Sequence, residues 1–321
     1  MRRGTLGRSG VTVTELSFGA AGIGNLYAPV TPEAAAAAVD AAWEAGVRHF
    51  DTAPHYGLGL SERRLGEALR GRPRDTYTVA TKVGRLLVPY EGDPVGDDLA
   101  HGFAVPATHR RVWDFSADGV RRGIEESLLR LGLDRVDVVH LHDPDDHEET
   151  AFREAYPALE RLRAEGVVRA VGVGMNGTAM LTRFLRDTDV DTVLCAGRLT
   201  LLDQSALDAL LPEAAARGRS VLAAGVFNSG LLADPRPGAR YDYRAAPLAL
   251  LERALHAQAV TERHGVPLRA AALRYPLRHP AVASVVLGCR SADEVRDAVA
   301  HHRHPVPDAV WDDLRAEGIL P

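Results

Sequence analysis

Thr31-Pro32-Glu33-Ala34-Ala35-Ala36-Ala37-Ala38-Val39-Asp40-Ala41-Ala42-Trp43-Glu44-Ala45-Gly46-Val47-Arg48-His49-Phe50-Asp51-Thr52 holds one complete structural unit. Thr31 is a helix N-cap and Pro32 suits the first helical position, where its missing N–H costs nothing. The run to Ala45 is strongly helix-forming, and Gly46 stops it. An apolar stretch follows at once and ends on an acid, Asp51. The same device recurs at Leu131-Gly132-Leu133-Asp134, Glu165-Gly166-Val167-Val168 and Arg217-Gly218-Arg219-Ser220.

Outward from this unit, strands are expected at 15–20, 48–52, 76–82, 137–142, 169–174, 192–196, 220–225 and 284–288. Each is rich in Val or Leu without strict polar alternation, as strands covered on both faces are. Helices are expected at 32–45, 61–69, 117–131, 149–165, 178–186, 204–217, 247–264 and 291–300. Eight strand–helix units predict an α/β fold, a closed (β/α)8 TIM barrel. The competing doubly wound sheet would carry a glycine-rich phosphate loop after its first strand, and Gly19-Ala20-Ala21-Gly22-Ile23-Gly24 imitates that motif poorly. Residues 1–13 read as a β-hairpin turning at Ser9-Gly10, placed to cap one barrel end. The stretch from Val83 to Phe115 after the third strand is a long, functional loop. All 321 residues are assigned to a single domain.

Composition narrows the function. Lys and Arg total 38 against 43 Asp and Glu, a formal charge of −5, which disfavours nucleic-acid and anionic-membrane partners. Two cysteines, Cys195 and Cys289, sit in apolar runs, so a reducing cytoplasm is expected and a disulfide scaffold is not. No apolar run approaches the ~18 residues of a membrane span, and the N-terminus lacks a signal-peptide core.

In such barrels chemistry gathers at the C-terminal strand ends. There the sequence offers Asp51, Tyr56, Lys82 and His142. Hydride transfer to a carbonyl needs a proton for the oxygen, and a phenol can supply it. Lys82 is expected to lower the Tyr56 pKa, Asp51 to hold Lys82 charged, and His142 to orient the substrate oxygen.

Phe50-Asp51-Thr52-Ala53-Pro54-His55-Tyr56-Gly57, then Ser61-Glu62-Arg63-Arg64-Leu65-Gly66, resembles the signature of the aldo-keto reductases. Leu6-Gly7-Arg8-Ser9-Gly10, Thr81-Lys82 and Asp137-Val138-Val139-His140-Leu141-His142 match further motifs of that family in order, over nearly the whole chain. The resemblance implies Asp51, Tyr56, Lys82 and His142 as the catalytic tetrad, with Tyr56 the general acid/base. It implies NAD or NADP laid across the barrel mouth without a Rossmann domain.

The implied cofactor contacts are Gly19, Asp51, Asn176, Ala196, Gly225, Val226, Phe227, Asn228, Gly230, Leu231, Gly288, Arg290, Ser291 and Glu294. Asn176 matches the position that holds the nicotinamide amide. Gly174 or Met175 replaces the usual serine before it, Ala196 stands where Gln is frequent, and the segment from Ala223 to Leu231 lacks the usual ring that stacks on nicotinamide. Members preferring NADP carry Lys or Arg at the positions of Gly288 and Glu294. A carboxylate facing a ribose repels a 2′-phosphate, so NAD is favoured, although Arg290 offers a phosphate partner.

Gly225–Gly230, Leu141-His142-Asp143-Pro144 and the long loop, with His101, Phe103, His109, Arg110 and Trp113, are similar to the bacterial sugar dehydrogenases of the family. Those oxidise the anomeric C1 of aldoses such as L-fucose to the lactone. His55, Trp113 and His142 are the expected substrate contacts. Other members act on pyridoxal or on assorted carbonyls. The partner expected is a small sugar or carbonyl, and the assembly a monomer or small homo-oligomer. Two rivals are a cofactor-binding regulatory subunit with little turnover and a metal hydrolase built on His140-Leu141-His142. No metal is expected, because strands five to seven carry no histidine, and His140 then reads as a buried, hydrogen-bonded barrel residue.

Overall fold

The computed structural model describes residues 1–92 and 96–321. Eight parallel strands close into a barrel: Leu16–Gly19, His49–Asp51, Thr78–Val83, Val138–His142, Ala170–Met175, Thr192–Ala196, Ser220–Ala224 and Val282–Gly288. All eight fall where sequence reading expects them, with ends moved by one or two residues. Closure is made by the eighth strand on the first, with Val285 opposite Leu16.

Side-chain alternation sends Val139, Leu141, Val171 and Val173 outward against the helices. Each such fully buried side chain contributes ~1.5–3 kcal/mol. His140, His142, Gly172 and Gly174 take the opposite parity and face the barrel interior, His140 paired with Gly172 and His142 with Gly174. A Cβ at residue 172 would meet the His140 ring at 2.7 Å, so Gly172 makes room for that imidazole.

The N-terminal hairpin joins Arg3–Thr5 to Thr12–Thr14. Its tip spans six residues and not two, closed by Leu6 N–H donating to Val11 C=O at 2.8 Å. Leu6, Val11 and Val13 pack with Ala80, Val138, Ala170 and Leu222, plugging the lower end of the barrel.

Helices alternate with the strands, and they depart from expectation in four places. The helix expected at 149–165 is three pieces, Glu148–Thr150, a wide π turn over Ala151–Ala155, and Tyr156–Ala164. Pro157 has no N–H to bond one turn back, and widening the turn accommodates its ring. The helix expected at 204–217 is a short 3-10 turn, Ser205–Leu207, and then Leu210–Arg217. Leu268–Arg274 is a further short helix, bounded by Pro267 and Pro276, that single-sequence periodicity over seven residues does not reveal. Asp308–Ala316 follows Pro307 and packs Trp311 and Leu314 against the helix Leu248–Arg263 in a second apolar cluster.

The long loop is not structureless. Arg85–Pro89 pairs antiparallel with His109–Trp113, and Asp97–Asp98 with Phe103–Pro106, so two small hairpins stand over the C-terminal barrel mouth. Residues 93–95 of the loop lie outside the described residues. Among the described residues no helix is long and apolar enough to cross a membrane.

Candidate active site

The second and third barrel strands run side by side, so Asp51 and Lys82 leave the sheet at neighbouring points of the mouth. Lys82 is 2% exposed. Its Nζ donates to Asp51 Oδ2 at 2.7 Å, to Thr52 C=O at 2.9 Å and to the Tyr56 hydroxyl at 3.1 Å. Three acceptors therefore saturate the ammonium. The His142 ring stands 5.9 Å from the Tyr56 ring, nearly perpendicular to it. Asp51, Tyr56, Lys82 and His142 thus meet in one place.

Electrostatics at this cluster differ from expectation in one respect. Burial works against the Lys82 ammonium, but Asp51 and Tyr56 outweigh it and hold Lys82 above its usual pKa. Tyr56 is not lowered. Burial of the phenol raises its pKa more than Lys82 lowers it, and Asp51 adds to the rise. The physical reason is that Lys82 is already neutralised at close range, so the phenol faces an ion pair and not a bare cation. Burial also raises Asp51, whose Oδ1 has no partner. Burial, then Arg85, Lys82 and the neighbouring imidazoles, hold His142 well below the ordinary histidine range. His142 is therefore neutral, a hydrogen-bonding group and not an acid.

Below this layer lies His140, fully buried, with both ring nitrogens unpartnered. The expectation of a hydrogen-bonded His140 is corrected. Burial and the Lys82 charge keep the ring uncharged, which removes the largest cost of leaving it unpaired. Among the described residues no three His, Cys, Asp or Glu side chains converge as metal ligands. Cys195 and Cys289 are free and buried, and burial pushes both thiols up to about 12, where they are unreactive.

Two connected hollows open at the cluster. A groove of about 620 Å³ runs from Asp51 and Tyr56 past Asn176 and Ala196, along Gly225–Gly230, to Gly288, Arg290 and Glu294. Gly19, Val226, Phe227 and Asn228 line it as well. Leu231 does not: it is fully buried in the second apolar cluster. Ser291 is also turned away, its hydroxyl accepting the Glu294 N–H as the N-cap of Ala292–Arg303. These two contacts are corrected.

The groove suits an extended dinucleotide. Asn176 Nδ2 donates to Ala196 C=O at 3.0 Å, which orients the amide and leaves its oxygen free to accept. Asn228 Oδ1 is buried without a partner, and the Val226 and Phe227 N–H groups have none among the described residues. Asn228, Ser229 and Gly230 all take positive φ, a turn that exposes backbone to a ligand. Sequence reading missed Tyr27 and Tyr243, which border both hollows. Tyr243 is placed by Arg240–Tyr241 pairing with Arg244–Ala245, and two-residue strands leave no periodic signal.

The second hollow, about 500 Å³, lies above Tyr56 and Lys82 and is bordered by His55, His142, Arg85, Asp143, His101 and Phe103. Arg85 pairs with Asp143. Trp113 is absent from its wall, which corrects the expected contact. Trp113 lies opposite Arg85 in the hairpin, stacks on Phe115 at 5.9 Å and takes the Arg85 guanidinium 4.3 Å from its ring centre. Its apolar face is spent fixing the hairpin base. His109 and Arg110 also fall outside the hollow.

The model of the Aldo/keto reductase family matches residues 15–317. The chain belongs to the aldo/keto reductase family. It is an NAD(P)-dependent oxidoreductase acting on CH–OH and C=O groups. Among aldo/keto reductases and their relatives it is 44% identical over 317 residues to a D-threo-aldose 1-dehydrogenase of Pseudomonas sp, covering 98% of this chain and 96% of the relative. It is 39% identical over 332 residues to a pyridoxal 4-dehydrogenase of Microbacterium luteolum, covering 98% and 97%. Its fold is similar to the holo form of an aldo-keto reductase from Bacillus halodurans, with a TM-score of 0.76, 27% identity and coverage of 98% and 96%.

Proposed function

We propose that this aldo/keto reductase oxidises the anomeric C1 of an aldose to the lactone, with NAD as hydride acceptor. The observation that carries the reading is the saturated Asp51–Lys82–Tyr56 chain at the junction of a dinucleotide-sized groove and a sugar-sized hollow bordered by His55, His142, Arg85 and Asp143. The 44% identity to a D-threo-aldose 1-dehydrogenase supports the substrate class.

A nicotinamide held in the groove would supply the hydride acceptor. The residues of the chain do the rest. Tyr56 exchanges the proton of the reacting oxygen, because among the tyrosines that border both hollows it is the one whose hydroxyl accepts from Lys82 Nζ, at 3.1 Å. Lys82 stabilises the phenolate that forms, and Asp51 fixes Lys82 in place. Neutral His142 holds the C1 oxygen by a hydrogen bond. Asn176 would hold the carboxamide of a nicotinamide, and the Gly225–Gly230 turn would hold the pyrophosphate. The raised Tyr56 pKa has a signed consequence: oxidation, which needs the phenolate, quickens as pH rises from neutral, and carbonyl reduction, which needs the phenol, holds steady there and slows only above the ordinary tyrosine value of about 10.

The choice of NAD follows from charge at the far end of the groove. Glu294 accepts from the Arg290 backbone N–H at 2.8 Å and from its Nη2 at 2.8 Å, and Asp297 pairs with Arg269 at 2.9 Å. Both cations are already neutralised, so nothing there favours a 2′-phosphate. Glu294→Arg is expected to raise the NADP/NAD ratio of kcat/KM roughly tenfold or more, since a hydrogen bond to a charged group is worth ~1.5–3 kcal/mol. An unmoved ratio would place the ribose elsewhere.

The reading is tested by following nicotinamide reduction with a panel of aldoses, pyridoxal and simple alcohols. L-fucose or a D-threo-aldose is expected to give the highest kcat/KM. The 39% identity to a pyridoxal 4-dehydrogenase makes pyridoxal the second reading, and a preference for it would replace the first.

A further inference from the structure

His55 and Arg111 belong to different loops. His55 follows the second barrel strand, and Arg111 lies in the returning arm of the hairpin over the mouth. Arg111 Nε donates to His55 Nδ1 at 2.6 Å, and Nη2 donates to the His55 carbonyl at 2.9 Å. Nη1 and Nη2 also grip the two carboxylate oxygens of Asp98 at 2.7 and 2.6 Å. The Arg111 side chain is only 8% exposed, and Asp98 lies in the second small hairpin. The guanidinium is therefore locked in orientation from both ends.

A guanidinium has no lone pair to offer and does not lose its proton in a protein. The imidazole nitrogen facing it must be the one without hydrogen. A neutral imidazole then carries its single proton on the other nitrogen, Nε2. Protonating the ring would turn Nδ1–H toward Arg111 N–H, donor against donor. Burial first, and then Arg85, Arg111, His101 and Lys82, push the His55 pKa down to about 2, in the same direction. Nε2 has no protein partner among the described residues, is not one of the closed-off polar atoms, and belongs to a ring that borders the 500 Å³ hollow. The ring itself is held edge-on by Phe103 at 5.3 Å and by His142 at 5.7 Å.

We propose that Arg111 is a positioning residue that fixes His55 as its Nε2–H tautomer, so that the hollow presents one permanent donor and selects an accepting oxygen at that point. The group it takes is a hydroxyl, ring or carbonyl oxygen of the ligand, and an ammonium or amide N–H is refused. A histidine free to exchange tautomers would offer its lone pair to such donors; His55 has none to offer. The ligand half of the inference rests on the sugar reading above, whereas the tautomer half does not.

The test begins with the ligand-free protein labelled with 15N-histidine, its His55 signals assigned by comparison with His55→Gln. The expected spectrum has a proton-bearing Nε2 and a bare Nδ1, unchanged as pH passes through about 6.5, the ordinary histidine value. A proton on Nδ1, an average of the two forms, or titration there overturns the proposal. In Arg111→Met the second tautomer becomes populated and the aldose KM rises roughly tenfold, while kcat falls much less; Arg111→Lys recovers part of the loss. An Arg111→Met protein with the native tautomer and native KM also overturns it. Should that variant fail to fold, the wild-type spectrum decides alone. The expected spectrum in a protein that oxidises no aldose removes the sugar reading and leaves the tautomer standing. An averaged spectrum in a protein that does oxidise aldoses removes only the tautomer.

Discussion

Tyr56→Phe lowers kcat by ~10²–10⁴ in both directions, the usual yield of a positioned general acid or base, and leaves dinucleotide affinity near that of the native protein. The substitution removes one hydroxyl and keeps the ring, which packs near Phe103 on the wall of the hollow. No neighbour can take over the proton. His142 and His55 are held neutral by burial first and then by the cations around them, and Lys82 is held protonated by Asp51 and Tyr56 against its burial. Steady-state turnover, together with a fluorescence titration of the dinucleotide, checks the separation of chemistry from binding. A variant keeping more than a tenth of native turnover would place the proton donor elsewhere.

Lys82→Met is expected to cost both activity and stability. Among the described residues the ammonium is the one partner of the Asp51 side chain, whose second oxygen is already unpaired inside the barrel. Removing one member of a buried ion pair leaves the other uncompensated, at ~3–5 kcal/mol. Denaturant unfolding measures the loss, and the double variant with Asp51→Leu is expected to recover most of it, because the stranded charge is gone. Turnover should not recover in the double variant, since the phenolate still lacks its cation. A single variant as stable as the native protein would mean that Asp51 and Lys82 are not coupled as the 2.7 Å contact indicates.

The sequence was most legible where one local rule decides the outcome. A capped helix, a glycine stop and an apolar strand, repeated along the chain, sufficed for the barrel. Asp51, Tyr56, Lys82 and His142 were findable because strand ends in such a barrel converge whatever the loops do. Most of the residues that the resemblance implies for a cofactor line the groove beside Tyr56, whereas Leu231 and Ser291 do not. Each stands just past the end of a run of lining residues, and nothing in such a run says where the side chains turn away.

What the chain determined by itself is the set of groups delivered to the barrel mouth, since period-two alternation and helix stops act over a few residues. What only the tertiary structure decided is how those groups are charged and which of them touch the hollow. Tyr56 is raised because burial strips water from its phenol, and Asp51, 31 residues from Lys82 in sequence, offsets the ammonium that would lower it. Arg111 meets His55 across 56 residues, while Trp113, two positions on, is consumed by Phe115 and Arg85. Desolvation and pairwise charge depend on distance in space, which the barrel register and the hairpin over its mouth set and which no local period in the chain encodes.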